Sequence, residues 1–124
     1  MAKREYKPWL AKAESWDVLE DKYIQHLSDS RLKMLELIRH IKNSDLSHRL
    51  FGATSIMGEG KLMVSIYNPI DIRKETLHIR FNQTEMKWYF EYYAMPFEEP
   101  EFVRIYAEDK GIEKFDAFIK RVKW

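Results

Sequence analysis

From Thr76 to Ala94 apolar and polar positions alternate with a period of two, broken once by Asn82-Gln83-Thr84-Glu85. Leu77, Ile79 and Phe81 alternate with His78 and Arg80. Trp88, Phe90, Tyr92 and Ala94 then alternate with Lys87, Tyr89, Glu91 and Tyr93. Successive strand side chains point to opposite faces, so each run has one oily face and one polar or aromatic face. The rest of the chain is expected to supply helices that cover this pair.

Upstream the period lengthens to that of a helix. Ser15 is placed to cap a helix in which Trp16, Leu19, Tyr23 and Leu27 recur at three- and four-residue spacing. Asp17, Glu20 and Asp21 suit the positive end of its dipole. After Ser28-Asp29-Ser30 the stripe continues through Leu32, Leu35, Ile38 and Ile41, with Lys33, Glu36, Arg39 and Lys42 turned outward, and Asn43-Ser44-Asp45 ends it. Two helices, or one long bent one, fit this pattern.

Leu50 to Met57 and Lys61 to Tyr67 read as strands around Gly58-Glu59-Gly60, where glycine supplies the positive φ of a tight turn. In the second run Leu62, Val64 and Ile66 face one way, and Met63, Ser65 and Tyr67 the other. Asn68-Pro69 stops it. Pro96 stops the fourth strand, Met95 to Glu101 forms an acidic connector, and Phe102 to Tyr106 reads as a short fifth strand. Asp109 is expected to cap a last helix with Ile112, Phe115, Ile119 and Val122 as its stripe, Lys120, Arg121 and Lys123 at its negative end, and Trp124 docked.

Helices, then strands, then a helix specify an α+β fold: N-terminal helices, an antiparallel meander of four or five strands, and a C-terminal helix packed on the sheet. Residues 1–12 read as a flexible basic tail and 13–124 as a single domain. At 124 residues and 45% hydrophobic content the chain can bury a proper core. The absence of cysteine removes disulfides and thiolate metal sites. No apolar run is long enough to span a bilayer, and no oily stretch follows the charged N-terminus, so a cytoplasmic protein is expected.

Charge narrows the partners. The formal net charge of +1 argues against a dedicated nucleic-acid binder. Its distribution is uneven: seven acids stand against two bases between Thr84 and Asp109, and five bases against two acids from Lys110 onward.

Catalytic signatures are absent. Gly58-Glu59-Gly60-Lys61 lacks the phosphate-loop pattern, with Ser55 where glycine is required and Leu62 where Ser or Thr is. His26, His40, His48 and His78 show no ligand spacing, and Ser55 lacks a nucleophile elbow. No cofactor or metal is expected. Glu91, between Tyr89 and Tyr93 on its own face, is the sole acid in mid-strand.

What remains is the sheet's second face. His78, Arg80, Tyr89, Glu91 and Tyr93 share it, and Tyr67 and Ser65 from the second strand and Arg104 and Tyr106 from the fifth are expected to join them. Tyrosines mixed with Arg and His suit binding, because rings offer flat apolar area and guanidinium a fork of donors. The same row also serves structure alone, through cross-strand aromatic pairs and an Arg80–Glu91 pair. The leading expectation is a non-catalytic protein-interaction or ligand-binding module, inhibitor-like with an acidic Glu98–Glu101 rim, whose partner is another protein or a second copy. A rival places a small-molecule or enzymatic pocket between the sheet and the N-terminal helices, with His78, Arg80 and Glu91 as its polar groups and Tyr67 and Tyr89 on its wall. A third, single-stranded nucleic-acid binding by stacking, is disfavoured by the local acids.

Overall fold

The structure is a computed structural model and describes residues 10–25, 29–55, 60–72, 74–94 and 99–124. Residues 1–9 of the expected tail, the Gly58-Glu59 turn, and Met95 to Glu98 of the acidic connector lie outside the described residues.

The chain begins with β1 (Leu10–Ala11), followed by α1 (Trp16–Gln25) and α2 (Asp29–Lys42). Ser15 caps α1, its Oγ accepting the Val18 N–H at 3.2 Å. The N-terminal stripe is therefore two helices, and they run antiparallel: Arg39 and Lys42 at the end of α2 reach back to Glu20, at 2.9 and 3.0 Å. These two cations hold the Glu20 carboxyl below its ordinary pKa, Lys42 first. The buried face of α2 is wider than the expected stripe. Met34 and Leu37 are buried with Leu35, Ile38 and Ile41, whereas Leu32 is exposed.

β2 (Phe51–Ser55), β3 (Lys61–Ser65), β5 (Thr76–Asn82), β6 (Lys87–Tyr93) and β7 (Phe102–Ala107) form one antiparallel sheet in that order. Between β3 and β5 lies β4 (Ile70–Asp71), which leaves this sheet to pair with β1 as a two-stranded ribbon. Residues 10 and 11, expected within the tail, are thus built into the fold. The β5–β6 hairpin turns through Gln83–Met86, with Met86 at φ 55° and the Asn82 side chain accepting the Glu85 N–H.

The last helix, α3 (Gly111–Val122), follows a 3-10 turn over Glu108–Lys110. Asp109 does not cap it. The start is set by packing instead: a Cβ at Gly111 would run into the Trp88 indole, whose Nε1 donates to the Glu108 carbonyl at 2.9 Å. At its end Lys123 takes φ 60° and Trp124 docks on Phe118 and Tyr92, at ring-centroid distances of 5.5 and 5.9 Å.

All three described helices pack on one face of the sheet. Leu62, Val64, Leu77, Ile79, Phe81, Trp88 and Phe90 share a core there with Leu19, Tyr23, Ile38 and Phe115. The fold is α+β as expected. On the other face a second, smaller core joins Ala53 and Met63 to Ile70 of the ribbon, with Ala11, Phe51 and Ile72 around it.

Candidate functional site

The register of the β5–β6 hairpin assembles the polar row. Thr76 faces Tyr93, His78 faces Glu91, and Arg80 faces Tyr89, all on the ribbon side of the sheet. The N-terminal helices therefore cover the opposite face, and His78, Arg80 and Glu91 cannot line a pocket beneath them. That corrects the rival expectation of a pocket between helices and sheet built on those three residues.

The ribbon covers only part of this face. His78, on β5, is 6% exposed, with the Ile72 carbonyl 3.1 Å from Nε2 and the Tyr93 ring 4.6 Å away. A carbonyl can only accept, so Nε2 carries the proton and Nδ1 is a bare lone pair; it is buried without a hydrogen-bond partner among the described residues. Burial, helped by the Lys61 charge, pushes the His78 pKa down to about 4. His78 is thus a neutral, enclosed side chain and not a surface donor.

β6 and β7 lie past the reach of the ribbon, and their side chains on this face are half-buried or exposed. The Arg80 guanidinium lies over the Tyr89 ring, 4.1 Å from its centroid, and the Tyr89 hydroxyl donates to Glu85. The Tyr93 hydroxyl donates to Glu91 at 3.1 Å. Partial burial, together with that bond, drives the Tyr93 hydroxyl up to about 12. Tyr89 is also raised, mainly by Glu85. Both rings are held by these partners before any ligand arrives.

The fifth strand does not contribute the residues expected of it. Cross-strand partners share a face, and β7 pairs Tyr89 with Ile105, Glu91 with Val103, Phe90 with Arg104 and Trp88 with Tyr106. Arg104 and Tyr106 therefore stand on the helix side, where Tyr106 packs edge-on against Phe90. In their place Val103 and Ile105 join the tyrosine row, 47% and 52% exposed. Strand alternation implies one of these two sets; the register that chooses between them depends on the connector after Ala94.

Tyr67 and Ser65 are also separated from the row. β3 ends at Ser65, which is fully buried and donates to the Glu75 carbonyl. Tyr67 lies beyond it on a shallow surface hollow with Pro69, Asp71, Lys74 and Glu75, and Glu75 raises its hydroxyl pKa. The structure thus brings together Arg80, Tyr89, Glu91 and Tyr93, encloses His78 beside them, and adds Val103 and Ile105.

Chemically the surface can bind, and among the described residues it offers no poised acid–base pair in a closed cavity. Hollows of about 180, 310 and 320 Å³ lie elsewhere, and none is lined by Arg80, Tyr89, Glu91 or Tyr93. Among the described residues no three His, Asp or Glu side chains converge to hold a metal ion. No described helix is long and apolar enough to cross a membrane. Comparison of the chain with protein-family models, curated proteins and solved structures finds no match in any of the three.

Proposed function

We propose that this chain is a non-catalytic protein-interaction module whose working surface is the β6–β7 half of the ribbon-side sheet face. One observation carries the reading: two exposed β-branched residues, Val103 and Ile105, stand beside two tyrosines already pinned by Arg80, Glu85 and Glu91. Apolar area presented on ordered side chains binds at low entropic cost, and tyrosine and arginine are favoured anchors of protein interfaces. Glu91 in the row, with exposed Glu99 and Glu101 at its end, favours a partner surface bearing some positive charge. This partner is placed in the cytoplasm, in keeping with the lack of cysteine.

The test has two parts. Light scattering over a concentration series asks whether the partner is a second copy, and a monomer is expected. Affinity capture from cell extract then compares the wild type with the double variant Tyr89→Ala/Tyr93→Ala and with Arg49→Ala as a distant control. A protein retained by wild type and control, and lost from a folded double variant, supports the reading. Identical retention by all three overturns it.

A further inference from the structure

The other side of the same strand carries a different surface. β7 is an edge of the sheet, and among the described residues nothing pairs with its outer side. Native edges are commonly blunted with proline, lysine, a bulge or a covering helix. β7 runs six residues, Phe-Val-Arg-Ile-Tyr-Ala, without proline or lysine, and its one charge, Arg104, points to the helix side rather than along the open edge. Its unpaired backbone groups are a template for another strand.

Next to that edge, between β7 and α3, runs a groove of about 180 Å³ lined by Phe102, Arg104, Tyr106, Lys114, Phe118 and Arg121, with Ala117 completing the wall. Lys114, Ala117 and Arg121 follow one another at three- and four-residue spacing, so they share one face of α3, and the small alanine leaves a notch between the two cations. Arg104 enters from the strand. No described carboxylate forms an ion pair with any of these three cations, whereas Lys110 and Lys33 nearby are paired with Glu113 and Glu108. The groove is therefore a concentrated, uncompensated positive charge beside an open strand edge.

The geometry points to an extended acidic peptide segment of a partner protein as the occupant, added as a sixth strand beside β7. A strand laid there sits about 4.8 Å from β7, with alternate side chains on the two faces of the sheet. On the helix side its carboxylates meet Arg104, Lys114 and Arg121. On the ribbon side its apolar residues extend the Val103–Ile105 row.

Charge decides against the nearest competitors. A second copy paired through β7 would bring its own Arg104, Lys114 and Arg121 up to the same three cations. The N-terminal residues Lys3, Arg4 and Lys7 of this chain, set against Glu5 alone, carry the wrong sign. Single-stranded nucleic acid needs free ring faces for its bases. Here Arg104 already lies over Phe102 and Lys114 over Tyr106, at 5.1 and 5.6 Å from the ring centroids, and the same rings pack on Phe118 and Phe90. The inference is separable from the tyrosine-face reading: it rests on the strand's edge and the helix-side cations, meets that face only at Val103 and Ile105, and does not use Tyr89 or Tyr93.

The experiment is an NMR and anisotropy titration of the full chain with a labelled hexapeptide alternating glutamate and valine. Its controls are the lysine–valine counterpart, the same glutamate peptide N-methylated along one edge, and oligothymidylate. Saturable shifts of amides in Phe102–Ala107 and around Lys114 and Arg121 are expected. Binding should be at least ten-fold weaker for the lysine and N-methylated peptides, and ten-fold weaker for Lys114→Glu/Arg121→Glu, with Tyr89→Ala/Tyr93→Ala unaffected. Lys114 and Arg121 are exposed, so a folded double variant is expected, and Arg104→Gln provides a milder second variant. Equal binding of the lysine peptide, shifts confined to the tyrosine face, no saturable binding, or tighter binding of oligothymidylate would each overturn the inference.

Discussion

His78 and Ile105 stand on the same face of one sheet, two strands apart, yet the first is 6% exposed and the second 52%. The difference comes from the ribbon. β1 and β4 contribute two residues each, anchored at the β2 edge where the Glu14 N–H donates to the Gly52 carbonyl at 2.9 Å. A five-stranded sheet is about 19 Å across at ~4.8 Å per strand, so such a short cover reaches over β2, β3 and the His78 end of β5 and stops short of Arg80. Under the cover the face behaves as core: Met63, Ala53 and Ile70 pack, and a histidine is kept neutral. Beyond it the same alternation yields a row of tyrosines and β-branched residues with nothing described above them. Identical strand chemistry becomes structure in one half and a candidate surface in the other.

If the two halves differ in this way, truncations should separate them. Ile70→Ala removes a fully buried side chain of the covered half and is expected to cost about 2–5 kcal/mol. Ile105→Ala in the uncovered half should stay within about 0.5 kcal/mol. Urea melts of both variants check this, and equal losses would mean that the uncovered half is also core.

Protonation separates the halves next. His78 has a folded pKa near 4 against an ordinary 6.5. Between those values the unfolded chain binds the proton and the folded chain does not, so stability is complete above pH 6.5 and falls as pH drops toward 4. The full effect is on the order of 3 kcal/mol at 1.36 kcal/mol per unit. Carboxylates add their own acid losses, so the informative quantity is the difference from His78→Gln, whose stability should decline less over that window. Parallel pH curves for the two proteins would show His78 to be solvated, and the ribbon not to seal this half.

In the uncovered half the expected losses are in binding. Tyr89→Ala/Tyr93→Ala should weaken capture of the partner by well over ~1 kcal/mol, read as the concentration for half-maximal retention. A further effect is structural and small. Removing the guanidinium that covers the Tyr89 ring, in Arg80→Ala, should cost about 0.5–1 kcal/mol in a thermal melt, as an exposed cation–π contact does.

Periodicity alone made much of the architecture readable. The Ser15 cap, the buried Trp16–Leu19–Tyr23 and Leu35–Ile38–Ile41 spacings of α1 and α2, the alternation of β5 and β6 and the closing helix all follow from spacing, and so does the α+β arrangement. Its misses share one cause, contacts distant in sequence. Strands of two residues leave no periodic signal, so the ribbon was invisible, and with it the enclosure of His78. Leu32 and Met34 are both apolar, and only the docking of α2 decides which is buried. Asp109 has the chemistry of a cap, but the Trp88 indole against Gly111 fixes where α3 begins. For the site, the row from Arg80 to Tyr93 was legible because a short hairpin turn locks its register. For Arg104 and Tyr106 alternation leaves the face open, because the connector before β7 is longer and one residue of register exchanges them for Val103 and Ile105.

That exchange makes Val103 and Ile105 the most direct probe of the account. The measurement is calorimetric affinity of the captured partner for wild type and for Val103→Thr/Ile105→Thr, which keeps the β-branched shape and adds hydroxyls. Unfolding stability unchanged within about 0.5 kcal/mol and affinity at least ten-fold weaker are expected. Undiminished affinity in that folded variant would contradict the account and return the uncovered half of the sheet to plain structure.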